Sequence, residues 1–254
     1  MIDALVLAGS PNDGRLKSCS TAEYEALIPI GNKAMVEYVV SALIKSRNIN
    51  RIVIVGPKEL ASVFSGLPIK IVESQGKMMD NLYSGLTNLS DSERTLVVTA
   101  DIPLVTAKIL DDFLSLCGDK KSDLYYPVVP KATVSEKFPS VTRTYVKLKD
   151  GVFTGGNVFL VNPSVVPKCL EKGQQFVDLR KSPVKLCKML GLGFLIKFLS
   201  RRLSLKEVER KASLLFGIKG QAVICHHPEV GLDIDKPSDL TMAVESLGAN
   251  VNVN

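Results

Sequence analysis

Five apolar residues, Ala4-Leu5-Val6-Leu7-Ala8, run without a break into Gly9-Ser10-Pro11-Asn12-Asp13-Gly14. An apolar run of this length suits a strand buried on both faces. The residues after it disfavour regular structure and favour turns. A central strand therefore ends in a loop of little side-chain bulk, whose backbone N–H groups have room to face an anion. Arg15 and Lys17 follow directly and add positive charge. Two readings stand here: a phosphate-binding loop, or the plain glycine-bearing turn after the first strand of any α/β sheet. One phosphate-binding class is excluded. A Walker-type loop continues Gly-Lys-Ser/Thr, whereas this chain continues Gly14-Arg15-Leu16, so that lysine and the Mg²⁺-binding hydroxyl are both missing.

Strand and helix patterns then alternate. Met35 to Arg47 carries Val36, Val39, Val40, Leu43 and Ile44 at helical spacing. Lys33 stands on the segment that enters this helix, either pointing back at the glycine loop or solvated. Arg51 to Val55 reads as a second strand, Ile69 to Val72 as a third, and Met78 to Leu89 as a helix. Thr95 to Ala100 is a fourth, buried strand, followed by Asp101-Ile102-Pro103 and by Thr106 as the cap of another helix. This order predicts an α/β fold with a mostly parallel sheet covered on both faces, whose ligands bind outside the carboxyl ends of the strands. Gly9, Lys33, Gln75 and Asp101 all fall at that edge. Asp101 is a hard oxygen donor suited to a divalent cation that bridges phosphates, or else a carboxylate bonded to loop backbone.

Composition narrows the class further. The 254 residues, 46% of them hydrophobic, are enough for a large core, and no apolar run is long enough to span a membrane. A cytoplasmic location is the expectation. The five cysteines are scattered and form no C-x-x-C pair, which predicts reduced, mostly packed thiols. His226 and His227, the two histidines, are adjacent and suit no common metal site. The net charge of +6 is concentrated: Lys168 to Lys219 holds 13 basic and 4 acidic residues, a net +9, so the rest of the chain sums to −3. With no Trp and no nucleic-acid motif, this basicity points to an anionic small molecule or lipid headgroup rather than to nucleic acid.

Four stretches together resemble the MobA-like NTP transferases. These are Leu7-Ala8-Gly9 with Gly14-Arg15-Leu16, Gly31-Asn32-Lys33-Ala34-Met35, Thr99-Ala100-Asp101-Ile102-Pro103, and Gly231-Leu232-Asp233-Ile234-Asp235-Lys236-Pro237-Ser238-Asp239-Leu240. The resemblance implies a Rossmann-like, three-layer α/β/α nucleotidyltransferase fold of GT-A-like form, with a mixed, mostly parallel sheet. It implies one domain, 1–254, with a nucleotide-binding half (1–115) and an acceptor-binding half (116–254), to which the residues themselves add a basic helical insertion at about 178–218. It also implies Mg²⁺ as cofactor, and an NTP and a phosphorylated small-molecule acceptor as partners. The glycine loop falls on Leu7, Ala8, Gly9, Ser10, Gly14 and Arg15, the phosphate-binding lysine on Lys33, and the metal carboxylates on Asp101 and on Asp235, with Asp233 as the lesser choice. Ser10 and Ala34 depart from the family's usual Gly and Pro.

Other positions come from the residues, with the acceptor role of the Asn157 segment implied by the resemblance. Gln75 is the candidate for base contact. Leu124 to Val129, Thr144 to Leu148 and Val158 to Val161 read as strands, and Thr154-Gly155-Gly156-Asn157 as either a turn or a close approach to a ligand. Asn157 and Arg143 are the acceptor-binding candidates. Pro183 to Arg202 is a basic, very apolar helical stretch interrupted by Gly191 and Gly193, either packed on the sheet or forming a lid or surface for an amphiphilic acceptor or a membrane. Ser204-x-x-Glu207 opens a further helix with a capping box. Asp235, ahead of Pro237, also suits the N-cap of the last helix, and the Asn-rich end is expected to fray. Two other functions share this pattern: a glycosyltransferase using a nucleotide sugar, whose D-x-D would occupy the place of Ala100-Asp101-Ile102, and a non-catalytic nucleotide-binding module.

Overall fold

The computed structural model describes residues 1–119, 121–179 and 182–248; the Asn-rich end, 249–254, lies outside them. The first strand, β1 (Ile2–Leu7), is buried on both faces: Ala4 and Val6 belong to one apolar core, Leu5 and Leu7 to the other. This two-sided burial is why its sequence is continuously apolar instead of alternating. After a 3-10 turn, Arg15–Ser18, the chain makes a small hairpin of β2 (Pro29–Ile30) and β3 (Lys33–Ala34), turned at Gly31 with φ 63°. Next come α1 (Met35–Lys45), β4 (Ile49–Gly56), the short α2 (Leu60–Val63), β5 (Ile69–Glu73), α3 (Met78–Thr87), β6 (Thr95–Thr99) and α4 (Ala107–Leu116). Thr106 Oγ1 accepts the Ile109 N–H at 3.3 Å and so caps α4 as its sequence suggests.

β5, β4, β1 and β6 are parallel neighbours in that order. α1 and α4 pack on one face with Val36, Val39, Leu43, Ile109 and Phe113, and α3 packs on the other with Met79, Leu82 and Leu86. The α3 contact is close because of Gly85: a Cβ there would stand 2.4 Å from one Leu5 methyl and 2.8 Å from Val55 Cγ2.

The second half extends the same sheet with β7 (Leu124–Pro130), α5 (Lys131–Lys137), β8 (Val146–Leu148), β9 (Gly151–Gly155), β10 (Val158–Val161) and α6 (Val166–Leu179). β10 inserts antiparallel between β6 and β7, and β9 and β8 continue antiparallel beyond β7. α7 (Pro183–Met189), α8 (Leu192–Leu199) and α9 (Leu205–Phe216) lead to β11 (Gly220–Ile224), which lies parallel to β7, and α10 (Pro237–Ser246) closes the fold. The result is a nine-stranded, mixed sheet between two helical layers, the α/β class expected.

The helical stretch from Pro183 is interrupted at Gly191, φ 113°, as its glycines suggest, and so is two helices. Two other local readings are decided. Thr154 and Gly155 end the strand β9 instead of forming a turn. α8 is not packed on the sheet, since none of its residues is buried. The capping box of α9 is present, with Ser204 Oγ accepting the Glu207 N–H at 3.3 Å and Glu207 accepting the Ser204 N–H at 3.0 Å. Among the described residues, Cys19 is an exposed free thiol and Cys117, Cys169 and Cys225 are buried free thiols.

At the amino end of the sheet Asp3 is buried and accepts from Arg51 Nη2 at 2.6 Å and from Arg51 N–H at 3.0 Å, with Ser92 hydroxyl as a further donor. Burial opposes the charge on Asp3, but the Arg51 and Ser92 bonds outweigh it and hold its pKa at about 2.

Candidate active site

The carboxyl ends of β1, β4 and β6 meet where the glycine loop leaves the sheet. Ala8 N–H donates to Val55 O at 2.7 Å, and Ala100 N–H donates to Leu7 O at 3.0 Å, so the loop starts one residue from Asp101. Ile234 N–H donates to Asp101 O at 2.8 Å, which brings Asp233 and Asp235 from far along the chain to the same place. Thr99 N–H donates to Asn157 O at 3.1 Å, and Asn157 N–H donates to Val230 O at 2.8 Å, placing Asn157 beside the end of β6. Thr99 Oγ1 also donates to the Asp101 carboxylate and orients it.

The glycine loop is braced from within. Asn12 is buried and its amide donates to Ser20 O at 3.0 Å and to Ala22 O at 2.9 Å, while its own N–H donates to Glu23 O at 2.8 Å. Glu25 N–H donates to Ser10 O at 3.0 Å, and Pro11 pairs with Tyr24. These bonds tie the loop to segment 20–25 and leave Ser10, Gly14 and Arg15 exposed. Asn12 went unnoticed in the sequence because an Asn in a Gly/Pro-rich loop reads only as a turn former.

Gly9 has a reason beyond the one its sequence suggests. A Cβ there would stand 2.4 Å from Ser74 Oγ, 2.9 Å from Ser74 Cβ and 2.8 Å from Asn81 Nδ2, so the close approach is to the chain itself. Asn81 is buried, donates to Ser74 Oγ at 3.0 Å and accepts the Gln75 N–H at 2.6 Å. This small polar knot sets Gln75, whose side chain is exposed, next to the glycine loop. Gly155 and Gly156 likewise make room for Tyr126, Pro127 and Val230: added Cβ atoms would stand 2.3 Å from Tyr126 Oη and 2.7 Å from both Pro127 Cγ and Val230 Cγ1. The reading of these glycines as a ligand approach gives way to packing between β9, β7 and the 228–231 turn.

The charged candidates divide into two groups. Arg15 and Lys33 are exposed; Lys33 Nζ lies 5.7 Å from the centre of the Tyr38 ring, and Tyr38 Oη donates to Ile30 O at 2.6 Å, which stiffens the hairpin. The Arg143 side chain, in contrast, is 8% exposed and faces inward, with Nη2 donating to Asp233 O at 2.6 Å and Nη1 lying 3.2 Å from Asp239 Oδ2 and 3.5 Å from Asp233 Oδ1. Its guanidinium anchors the segment that bears Asp233 and Asp235, a role the acceptor assignment did not foresee. Asp235 does not occupy the cap position of the last helix: the residue before α10 is Lys236, and the Asp235 N–H donates to Asp239 Oδ2 at 3.3 Å.

The donor set can be compared with a Mg²⁺ ion. Asp101 and Asp235 offer carboxylate oxygens on adjoining segments, and among the described residues no group of three or more His, Cys, Asp or Glu could hold a metal. Mg²⁺ in phosphate-transfer sites is commonly held by one or two carboxylates together with water and substrate phosphate, so this sparse set suits it. His227 is bonded elsewhere, with Nε2 2.8 Å from Asp112 Oδ2.

The sequence profile of the MobA-like NTP transferase domain matches residues 4–180. A structure described as a hypothetical transferase from Thermus thermophilus is 35% identical, with a TM-score of 0.79 over 94% of this chain and 99% of the other. CMP:2-keto-3-deoxy-manno-octonic acid synthetase, complexed with CTP, is 10% identical with a TM-score of 0.59 over 98% of this chain and 99% of its own. The 4-diphosphocytidyl-2C-methyl-D-erythritol synthase of Anaerococcus prevotii is 13% identical with a TM-score of 0.59 over 98% and 96%. The last two likenesses are of fold alone.

Proposed function

The chain belongs to the MobA-like NTP transferase family and is a nucleotidyltransferase, and from that premise we propose that it uses Mg²⁺ to move a nucleoside monophosphate from an NTP to a phosphorylated small-molecule acceptor. The observation that carries this reading is the pair of bonds Ala100 N–H to Leu7 O and Ile234 N–H to Asp101 O, which gather glycine loop, Asp101 and Asp235 at one sheet end. An acceptor oxygen attacks the α-phosphorus, the bond from that phosphorus to the α–β bridging oxygen breaks, and pyrophosphate leaves with the bridging oxygen. Both reactants are anions, so repulsion between them is a large part of what the site must offset.

Backbone N–H groups of Gly9, Ser10, Gly14 and Arg15 would hold the triphosphate, with Arg15 and Lys33 supplying charge from the exposed rim. Asp101, oriented by Thr99, and Asp235 would hold Mg²⁺, which when bound offsets phosphate charge. Asp235 is taken as the second ligand on the family pattern, and Asp233 lies 3.5 Å from Arg143 Nη1. Gln75 would meet the base and the Asn157 amide the acceptor, while Arg143 serves as a positioning residue. A phosphate acceptor is already ionised, so no dedicated base is required.

The test is pyrophosphate release from each of the four NTPs with Mg²⁺ and a panel of phosphorylated sugars and alcohols. Release that needs an acceptor, is strongest with one NTP and is lost in Asp101→Asn is the expected result. Acceptor-dependent release unchanged by Asp101→Asn, or no NTP binding by calorimetry, would overturn the proposal.

A further inference from the structure

The basic, apolar segment after α6 is left unused by nucleotidyl transfer as described. Its two ends are anchored on either side of the candidate site. α6 bears on the start of α3, where a Cβ on Gly173 would stand 2.7 Å from Met79 Cε and where the Met79 N–H donates to Gln174 Oε1 at 3.3 Å, just past Gln75 to Lys77. At the other end Lys149 N–H donates to Leu203 O at 2.8 Å and Leu205 N–H donates to Asp150 Oδ2 at 2.6 Å, tying the chain to the β8–β9 turn, from which β9 leads to Asn157. α7 and α8 thus span from the nucleotide side to the acceptor side.

Between these anchors α8 presents an apolar stripe to solvent. Leu192 is 72% exposed, Ile196 59% and Leu199 62%, and their spacing of four and three residues puts them on one helix face, with exposed Val184 contributed by α7. Around them stand Lys185, Lys188, Lys197, Arg201 and Arg202, all exposed, and residues 182–202 contain no Asp or Glu. Lys197 pairs with Glu207 at 2.6 Å, whereas no carboxylate pairs with the other four among the described residues. Arg201 has a left-handed backbone, φ 56°, which ends α8 and sets two cations at its carboxyl terminus, where the helix dipole favours them.

We infer that the α7–α8 face docks on an anionic lipid bilayer. A stripe of large aliphatic side chains rimmed by cations, on helices too short to span, is the chemistry of an interfacial helix. A second copy of the chain is a poor occupant, because a two-fold contact through this face would set like charges against each other. A neutral apolar partner leaves the four unpaired cations unexplained, whereas acidic headgroups meet both features at once. Docked this way, the protein holds its site beside the headgroup layer. The corresponding acceptor, an amphiphile whose polar head carries the phosphate, rests on the nucleotidyl-transfer reading; the docking does not.

The chain contains no Trp, so Leu192→Trp supplies a single fluorescent reporter on the stripe. Its emission should shift to the blue with vesicles of phosphatidylglycerol and phosphatidylcholine and stay unshifted with phosphatidylcholine alone. In vesicle flotation, replacing Lys185, Lys188, Arg201 and Arg202 by Ser should weaken binding by about a hundredfold or more, since each surface-facing cation is worth about fivefold. Replacing Leu192, Ile196 and Leu199 by Ser should abolish it, with thermal melts confirming that each variant folds. Flotation of the folded variants at wild-type levels, an equal shift with neutral vesicles, no shift with anionic ones, or a lipid-free shift that grows with protein concentration would overturn the inference. Pyrophosphate release measured with water-soluble acceptors separates the two proposals. Flotation without release fails the function alone, and release without flotation fails the docking alone.

Discussion

Replacing Gly9 by Ala tests whether the glycine loop is positioned by its contact with Ser74 and Asn81. The new methyl would lie 2.4 Å from Ser74 Oγ and 2.8 Å from Asn81 Nδ2. Carbon contacts prefer about 3.5 Å or more, so the loop and the 74–81 segment must part by about 1 Å. Turning Ser74 Oγ away gives no relief, because Ser74 Cβ stays at 2.9 Å and the bond from Asn81 Nδ2 is lost. Overpacking of this kind costs about 1–3 kcal/mol and the lost hydrogen bond about 1 kcal/mol. A total of about 2–4 kcal/mol corresponds to a Tm lower by about 4–16 °C for a chain of this size. NTP affinity should fall with it, since the loop no longer sits over the sheet end. The double variant Gly9→Ala/Ser74→Gly removes two of the three short contacts and should recover about half of the loss. Thermal melts with and without NTP read both effects. A single variant melting within about 1 °C of wild type, or a double variant no better than the sum of the two single changes, would refute the steric account.

Lys33→Ala should weaken NTP binding by about tenfold or more, as expected for one charged hydrogen bond, and leave the melt unchanged because Lys33 is exposed; equal calorimetric affinities would remove Lys33 from the site. Asp101→Asn and Asp235→Asn should each abolish most turnover and combine non-additively, because the second change acts on a site already broken. Asp233→Asn should instead lower stability by about 1–3 kcal/mol through its contact with the buried Arg143 and keep more activity; rates and melts on the same variants decide. Asp3→Asn should cost about 1–2 kcal/mol at pH 7, a figure reduced because Arg51 is 45% exposed. The Asp3 carboxyl titrates at about 2 when folded and near its ordinary value when unfolded. Its contribution is therefore complete above about pH 4 and lost as pH falls toward 2, so urea titrations should show the gap from wild type narrowing over that window. A gap constant with pH would contradict the ion-pair account.

Much of the nucleotide-binding half was legible from residue order. Buried parallel strands need continuous apolar runs, so Ala4 to Ala8 and Leu96 to Val98 announced β1 and β6, and Thr106 marked the start of α4. The family resemblance, now shown by the match over residues 4–180, rested on the loops that follow those strands, on Gly31 to Met35 and on Gly231 to Leu240, the last outside the matched residues. Periodicity said less about the second half. Thr154-Gly155-Gly156-Asn157 reads as a turn, because nothing local reveals that Tyr126, Pro127 and Val230 fill the space that side chains would take at Gly155 and Gly156.

Pairing across long separations was decided only by the tertiary structure. Whether Arg143 would meet a ligand or an internal carboxylate depends on the Asp233 and Asp239 contacts, some 90 residues away, and no pattern near Arg143 specifies them. Gly9 was legible as a residue that must lack a side chain, but that Ser74 and Asn81 occupy the space followed from the register of β1, β4 and β5. The apolar spacing of α8 was equally present in the sequence. Its exposure was not, because periodicity shows that a helix has an apolar face and only the packed chain shows whether anything covers it.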